Sequence, residues 1–231
     1  MIVTPISTDL PVVDTPLSFE VAHRAAIAAH WNTQLADNPN LWNGPFFLFT
    51  GVQLDGGVLR GEAHPTDFAT FLYHRRVNRG HDHDVTHITG TSLAITSDGV
   101  IVAMEMAGHT ANAGHIYFPA GSFDPQDVID NKLDTMFNVR REIREELGLD
   151  LTVSDFQPRW IGVSHDDTWH VAIPCHLPMT FDALNERFRS YQAEGGDDEL
   201  ARLVPIRSVD DAQILRPFAR MLAEHVLAEM G

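Results

Sequence analysis

Three carboxylates, Glu142, Glu145 and Glu146, recur at i, i+3 and i+4. On a helix this spacing gathers them on one side, within a single turn. Like charges at i,i+4, here Glu142 and Glu146, destabilise a helix unless something compensates them. A hard divalent cation is one such compensator: Mg²⁺ takes oxygen donors, keeps several waters and is held by a few carboxylates plus substrate phosphates. Upstream lies Phe118-Pro119-Ala120-Gly121-Ser122, an apolar-to-glycine corner that leads toward the same helix. A carboxylate cluster beside a glycine corner suits metal-assisted chemistry at a phosphate. The plainer alternative is a solvated helix face with Arg–Glu pairs.

The rest of the chain must position this group. At 231 residues it is long enough for a sizeable core, as one domain or as a domain with an extension. Its 44% apolar and 21% charged content is that of a soluble globular protein. Thirty-two acidic residues against 16 basic ones give a net charge of -16. That argues against general nucleic-acid binding and against an anionic membrane surface, while leaving room for a local basic pocket. A single cysteine, Cys175, excludes an internal disulfide and a cysteine-built zinc site. With no signal-peptide pattern and no apolar run near 18 residues, the expectation is a cytoplasmic protein without a membrane span.

Residues 1–84 are expected to form an N-terminal α/β extension packed on a core of residues 85–231. Residues 1–16, with prolines at 5, 11 and 16, read as an extended run over a surface. A helix follows from Phe19 to about Ala36 with Ser18 as its cap, then an aromatic strand from Phe46, a turn at Asp55-Gly56-Gly57 and a strand from Val58. Asp67 is placed to cap a helix from Phe68 to about Arg75. From Val85 onward strands dominate, until Leu133 or Asp134 opens the glutamate-bearing helix and Gly148 ends it. On that helix Met136, Phe137, Val139, Ile143 and Leu147 are expected inward, with Arg141 and the glutamates outward. Further strands at 156–163 and 170–177, a helix at 180–191, a short strand at 204–206 and a terminal helix from Gln213 to Met230, with a kink or a true start near Pro217, complete the pattern.

The run Arg141-Glu142-Ile143-Arg144-Glu145-Glu146-Leu147-Gly148-Leu149 resembles the C-terminal half of the Nudix hydrolase signature, and Pro119-Ala120-Gly121 is similar to its proline-x-glycine entry. The resemblance covers roughly residues 85–230. It implies an α+β fold, an alpha/beta/alpha sandwich with a mixed β-sheet. It also implies hydrolysis of the pyrophosphate bond in a nucleoside diphosphate derivative. Glu142, Glu145 and Glu146 would hold Mg²⁺ (or Mn²⁺), with Glu145 or Glu146 as general base. Arg141 would orient a glutamate, and Gly121 would allow a close backbone approach. The first half of the signature departs. Counting back from Arg141 puts the signature glycine at Asp127 and its first glutamate at Leu133; with Gly121 as the glycine, the loop is six residues longer. Asp130 or Asp134 is a candidate for the missing acid. The long loop, with Trp42-Asn43-Gly44 and Gly90-Thr91-Ser92, resembles a divergent branch that hydrolyses UDP-glucose and UDP-galactose, so a UDP-sugar leads as substrate. The alternatives are ADP-ribose or another nucleotide diphosphate, and a catalytically silent nucleotide- or protein-binding module. The expected partner is the small molecule, with a homodimer as the one protein assembly in view.

Other groups stand beside these. His81-Asp82-His83-Asp84 with His87 has a metal-like composition, against the simpler reading of a polar connecting loop. His109 and His115 flank a turn from which they could reach a diphosphate or ribose. His165-Asp166-Asp167 is either a pocket-shaping turn or merely a polar one. Arg75 and Arg76, with Arg79, are phosphate or uracil-side candidates, or else solvated helix-end arginines. No serine sits in a G-x-S-x-G elbow. The four tryptophans and Cys175 read as packing residues.

Overall fold

The computed structural model describes residues 1–77, 84–110, 112–196 and 198–230. The N-terminal run expected to cross a surface is instead a strand, β1 (Ile2–Asp9), built into the sheet. It pairs antiparallel with β10 (Trp160–His165), Ile2 opposite Val163, and parallel with β3 (Val58–Asp67), Ser7 opposite Val58. Burial of Ile6 and of Leu10 just beyond it rewards that placement.

β1 thereby joins the N-terminal strands to the rest. The sheet runs β12 (Leu200–Ile206), β5 (Ile101–Met106), β4 (His87–Ile95), β11 (Thr168–His176), β10, β1, β3 and β2 (Pro45–Asp55). Two short strands extend it: β6 (Ile116–Tyr117) on β5 and β7 (Ala120–Ser122) on β4. β4 and β11 are parallel and so are β1 and β3, while their other pairings are antiparallel. The expected α+β architecture with a mixed sheet is what the chain adopts.

β4 is buried along its whole length, as a central strand covered on both faces must be. Successive side chains alternate between those faces. Ala94, with Ile173 and Cys175, packs under helix α3 (Thr135–Leu147) and helix α4 (Phe181–Ala193). Leu93 and Ile95, with Ala172, pack on the other side against α5 (Pro217–Met230). A third cluster brings Phe47, Phe49 and Leu59 of the N-terminal strands against Ile88, Phe123 and Val171. Helices α1 (Ser18–Asp37) and α2 (Phe68–Arg76) cover the far end through Phe19, Ile27, Ala69 and Phe71. α2 starts where expected, Asp67 accepting from the Thr70 N–H at 2.9 Å, whereas α1 is preceded by Leu17 without any side-chain cap. None of the helices among the described residues is long and apolar enough to cross a membrane.

Candidate functional site

α3 begins at Asp134, whose carboxylate accepts from the Phe137 N–H at 2.9 Å, and ends at Gly148 in the left-handed conformation, φ 65°. Val139, Ile143 and Leu147 face the core as expected, but Phe137 is 37% exposed. Arg141, expected outward, is only 6% exposed. The cause of the reversal is the long loop between β7 and α3.

That loop turns through a 3-10 helix at Pro125–Asp127 and a small hairpin, β8 (Val128–Ile129) with β9 (Lys132–Leu133). It delivers Asp127, fully buried, beneath α3. The Asp127 carboxylate accepts from Arg141 Nε and Nη2, both at 3.0 Å, from Asn138 Nδ2 at 2.9 Å and from the Asp124 N–H at 3.0 Å. A bidentate, fully enclosed carboxylate can keep a guanidinium out of water where a solvated one could not. Neither Asp130 nor Asp134 takes this role. Asp130 sits with Asn131 at positive φ, 50° and 62°, in the hairpin turn, and Asp134 is the helix cap.

Arg141 also reaches Glu142 at 2.8 Å and Glu145 at 2.9 Å, with Asp124 at 3.7 Å. It is therefore the hub of the acid cluster, and its proton is held more tightly than usual by these carboxylates despite its burial. Glu142 is mostly enclosed, and its pKa is pushed up to about 8. Burial is the largest cause; Arg141 opposes it, and the Glu145 and Asp127 charges add to it.

Two glycines opposite each other in the sheet, Gly90 of β4 and Gly121 of β7, make room for α3. A Cβ at Gly90 would overlap Asn138, and one at Gly121 would overlap the Glu142 carboxylate. The expected close approach at Gly121 is thus by a carboxylate of the helix itself. At the other end, Tyr191 of α4 donates to the Glu145 carbonyl at 2.7 Å and Arg187 to the Gly148 carbonyl at 3.0 Å, satisfying carbonyls that a helix end leaves open.

Oxygen-only donors at this spacing suit a hard divalent cation in kind. In arrangement, no group of three or more His, Cys, Asp or Glu able to hold a metal is gathered among the described residues. Glu142 and Glu145 are both turned to Arg141 instead.

Alongside lies a cavity of about 390 Å³. Phe68, Phe71, Arg75 and Arg76 of α2 form one wall, while β7 contributes Gly121 and Ser122. His115, Tyr117 and His165 also line it. The substrate-binding candidates Gly121, Arg75, Arg76, His115 and His165 therefore converge on one cavity, whereas Glu142, Glu145 and Glu146 are not among its lining residues and approach it only through the packing of Glu142 on Gly121. Arg75 lies over the Phe71 ring, 5.3 Å from its centre. Burial, then Arg216 and Arg75, lower the His115 pKa. The cavity also contains His87 and His170. Burial holds His87 well below its ordinary pKa, and brings His170 down to about 3 with help from His165. Each ring bonds a hydroxyl, His87 to Ser122 at 3.0 Å and His170 to Thr89 at 2.9 Å, and His170 stacks on Phe218 at 3.7 Å.

No family model matches the chain, and neither does any curated protein. Solved structures similar to it include the MutT protein from Methanosarcina mazei Go1, at 18% identity over 63% of this chain and 95% of that one, with a TM-score of 0.40. The NUDIX domain of Shewanella oneidensis NrtR, complexed with ADP ribose, is 10% identical over 63% and 89% of the two chains, with a TM-score of 0.44. A Nudix hydrolase from M. smegmatis, RenU, is 13% identical over 63% and 88%, with a TM-score of 0.40.

Several sequence candidates fall elsewhere. His109 lies 3.8 Å from Asp198 and is not part of the cavity lining. Arg79, His81, Asp82 and His83 lie outside the described residues. Cys175 is fully buried, its thiol pushed up to about 12 mainly by burial. Among the described residues none of the four tryptophans lines the cavity. Conversely, the structure adds Asn112, Tyr117, His170, Arg216 and Phe218 to the cavity and Asp127 to the acid cluster, beyond the residues expected from sequence. Only Arg216 carried a local signal, a cation directly before the Pro217 helix start.

Proposed function

We propose that the chain is a Nudix-type pyrophosphohydrolase that cleaves a nucleoside diphosphate derivative, with a UDP-sugar as the leading substrate. The observation that carries this reading is the juxtaposition of opposite charges at Gly121. The Glu142 carboxylate of α3 packs on Gly121, and Gly121 also lines the cavity that bears Arg75, Arg76 and Arg216. In a chain of net charge -16, three guanidiniums on one cavity fit an anionic ligand, and the carboxylates fit the cation that accompanies a diphosphate. Residues 1–84 act in this reading as an extension that supplies the α2 wall to residues 85–231.

In the proposed reaction a water oxygen bonds to phosphorus and the bond from that phosphorus to the bridging oxygen breaks. The electron pair leaves with the departing phosphate. Glu145 or Glu146 accepts the water's proton. Mg²⁺ or Mn²⁺, held by Glu142, Glu145 and Glu146, would supply Lewis-acid polarisation of the phosphoryl oxygens and a more acidic water. Arg141 orients Glu142 and Glu145 while Asp127 anchors it. Arg75 and Arg216 face the diphosphate.

The test is a panel of UDP-sugars, ADP-ribose and other nucleoside diphosphate derivatives with Mg²⁺ or Mn²⁺, read as nucleoside monophosphate release. Glu146→Gln should abolish turnover without changing the fold. One observation favours a second reading, a non-catalytic nucleotide-binding module: two of the three glutamates are already engaged by Arg141. Ligand binding with no product from any substrate would select it.

A further inference from the structure

Tyr117 lines the cavity beside Asn112 and His115. It ends β6, and its ring lines the cavity 6.2 Å from that of Phe218. Its hydroxyl accepts from Asn112 Nδ2 at 3.4 Å, while Asn112 Oδ1 accepts from Arg75 at 3.2 Å. A guanidinium only donates, so the amide oxygen of Asn112 must face Arg75 and its NH₂ must face the phenol. The phenol, accepting from Asn112, keeps its own proton to donate elsewhere.

The surroundings limit where that proton can go. Burial is the main cause that raises the Tyr117 pKa; the Glu146 charge adds to it, and the Asn112 hydrogen bond and the Arg75 charge oppose it. The neighbouring Ile116 carbonyl accepts from the Arg216 N–H at 2.9 Å, which ties the start of α5 to β6. Arg75 and Arg216 both act on His115, one residue further back. Tyr117 thus shares the cavity lining with Arg75 and Arg216 and is linked to Arg75 through Asn112.

We propose that Tyr117 is a substrate-contacting residue whose hydroxyl donates to a phosphate oxygen between the α3 carboxylates and Arg75 and Arg216, with Asn112 positioning both Tyr117 and Arg75. The proposal rests on the diphosphate reading above and gives that reading its neutral donor.

Tyr117→Phe keeps the ring packing and removes only the donor. Asn112→Asp keeps an acceptor for Arg75 but turns the phenolic proton toward its own carboxylate, away from the cavity. Steady-state kinetics on the substrate that the wild type hydrolyses, with Mg²⁺ present, should show kcat/KM lowered tenfold or more in each variant. The double variant should be no worse than Asn112→Asp alone, because both act through one proton. A merely structural Asn112 would give additive losses. Calorimetric binding of uridine α,β-methylene diphosphate with Mg²⁺ separates this proposal from the catalytic one. Affinity severalfold weaker in Tyr117→Phe supports the contact even if the wild type hydrolyses nothing, which would sink only the enzyme reading. Tyr117→Phe within twofold of wild type in analogue affinity overturns the proposal, as does a wild type that does not bind the analogue.

Discussion

Replacing Asp127 by alanine would remove all four hydrogen bonds that its carboxylate accepts and leave Arg141 enclosed without its bidentate partner. Breaking a buried ion pair from one side costs about 3–5 kcal/mol, because the remaining charge stays out of water. Arg141 would keep Glu142 and Glu145, which places the expected cost at the lower end of that range. Against this, Asn138 Nδ2 and the Asp124 N–H lose an acceptor as well, at about 1 kcal/mol each or more if they stay buried. For a chain of this length each kcal/mol lowers Tm by about 2–4 °C, so the variant should melt about 6–20 °C below wild type. Thermal unfolding followed by circular dichroism measures this directly, without any assumption about function. Asp127→Asn sharpens the test: it keeps one acceptor oxygen but aims an NH₂ at other donors, and it should fall between wild type and alanine. An alanine variant melting within about 2 °C of wild type would refute the idea that Asp127 anchors Arg141.

Gly121→Ala should displace the Glu142 carboxylate, since the added Cβ would occupy its position. Overpacking of this kind costs about 1–3 kcal/mol, and on the proposed reading turnover falls at least tenfold; unchanged turnover and Tm would contradict it. Stability should also fall with acid. His170 titrates near 6.5 when unfolded but near 3 when folded, so below pH 6.5 the unfolded chain binds the extra proton and folding loses ground until about pH 3. At pH 5 the loss from His170 is about 2 kcal/mol, with a loss of the same sign from His87. In denaturant titrations at pH 7.5 and 5, His170→Gln should therefore lose less stability than wild type, and an equal loss in both proteins would show the acid sensitivity lies elsewhere.

The features legible in the sequence are those set by residues close together in the chain. Asp134 and Gly148 bound α3, Asp67 caps α2 and Asp55-Gly56-Gly57 turns β2 into β3, each through chemistry within a few residues. The glutamate spacing could be read for the same reason. What stayed hidden depends on distant partners. β1 reads as a surface run because its partner strands, β3 and β10, begin some fifty and more than 150 positions later. Arg141 looked solvated because the acid that encloses it is fourteen positions earlier, across a loop of unusual length. The cavity itself could not be read: its arginines come from α2 and from the start of α5, which only the folded sheet brings together.

That distribution explains how an acidic chain can keep both a carboxylate cluster and a cationic wall. Arg141, enclosed by Asp127, Glu142 and Glu145, spends its charge inside the cluster and contributes little field to the cavity. The cavity's positive charge therefore has to come from elsewhere, and it does, from Arg75, Arg76 and Arg216. Neutral groups line the same cavity: the Gly121 backbone, the hydroxyls of Ser122 and Tyr117, and His87 and His170, which burial keeps uncharged. A ligand bridging carboxylates and guanidiniums across such a floor must carry negative charge toward the arginines and bring or share a cation toward the glutamates. A diphosphate with a bound divalent ion meets both conditions, whereas a neutral sugar or a free base meets neither.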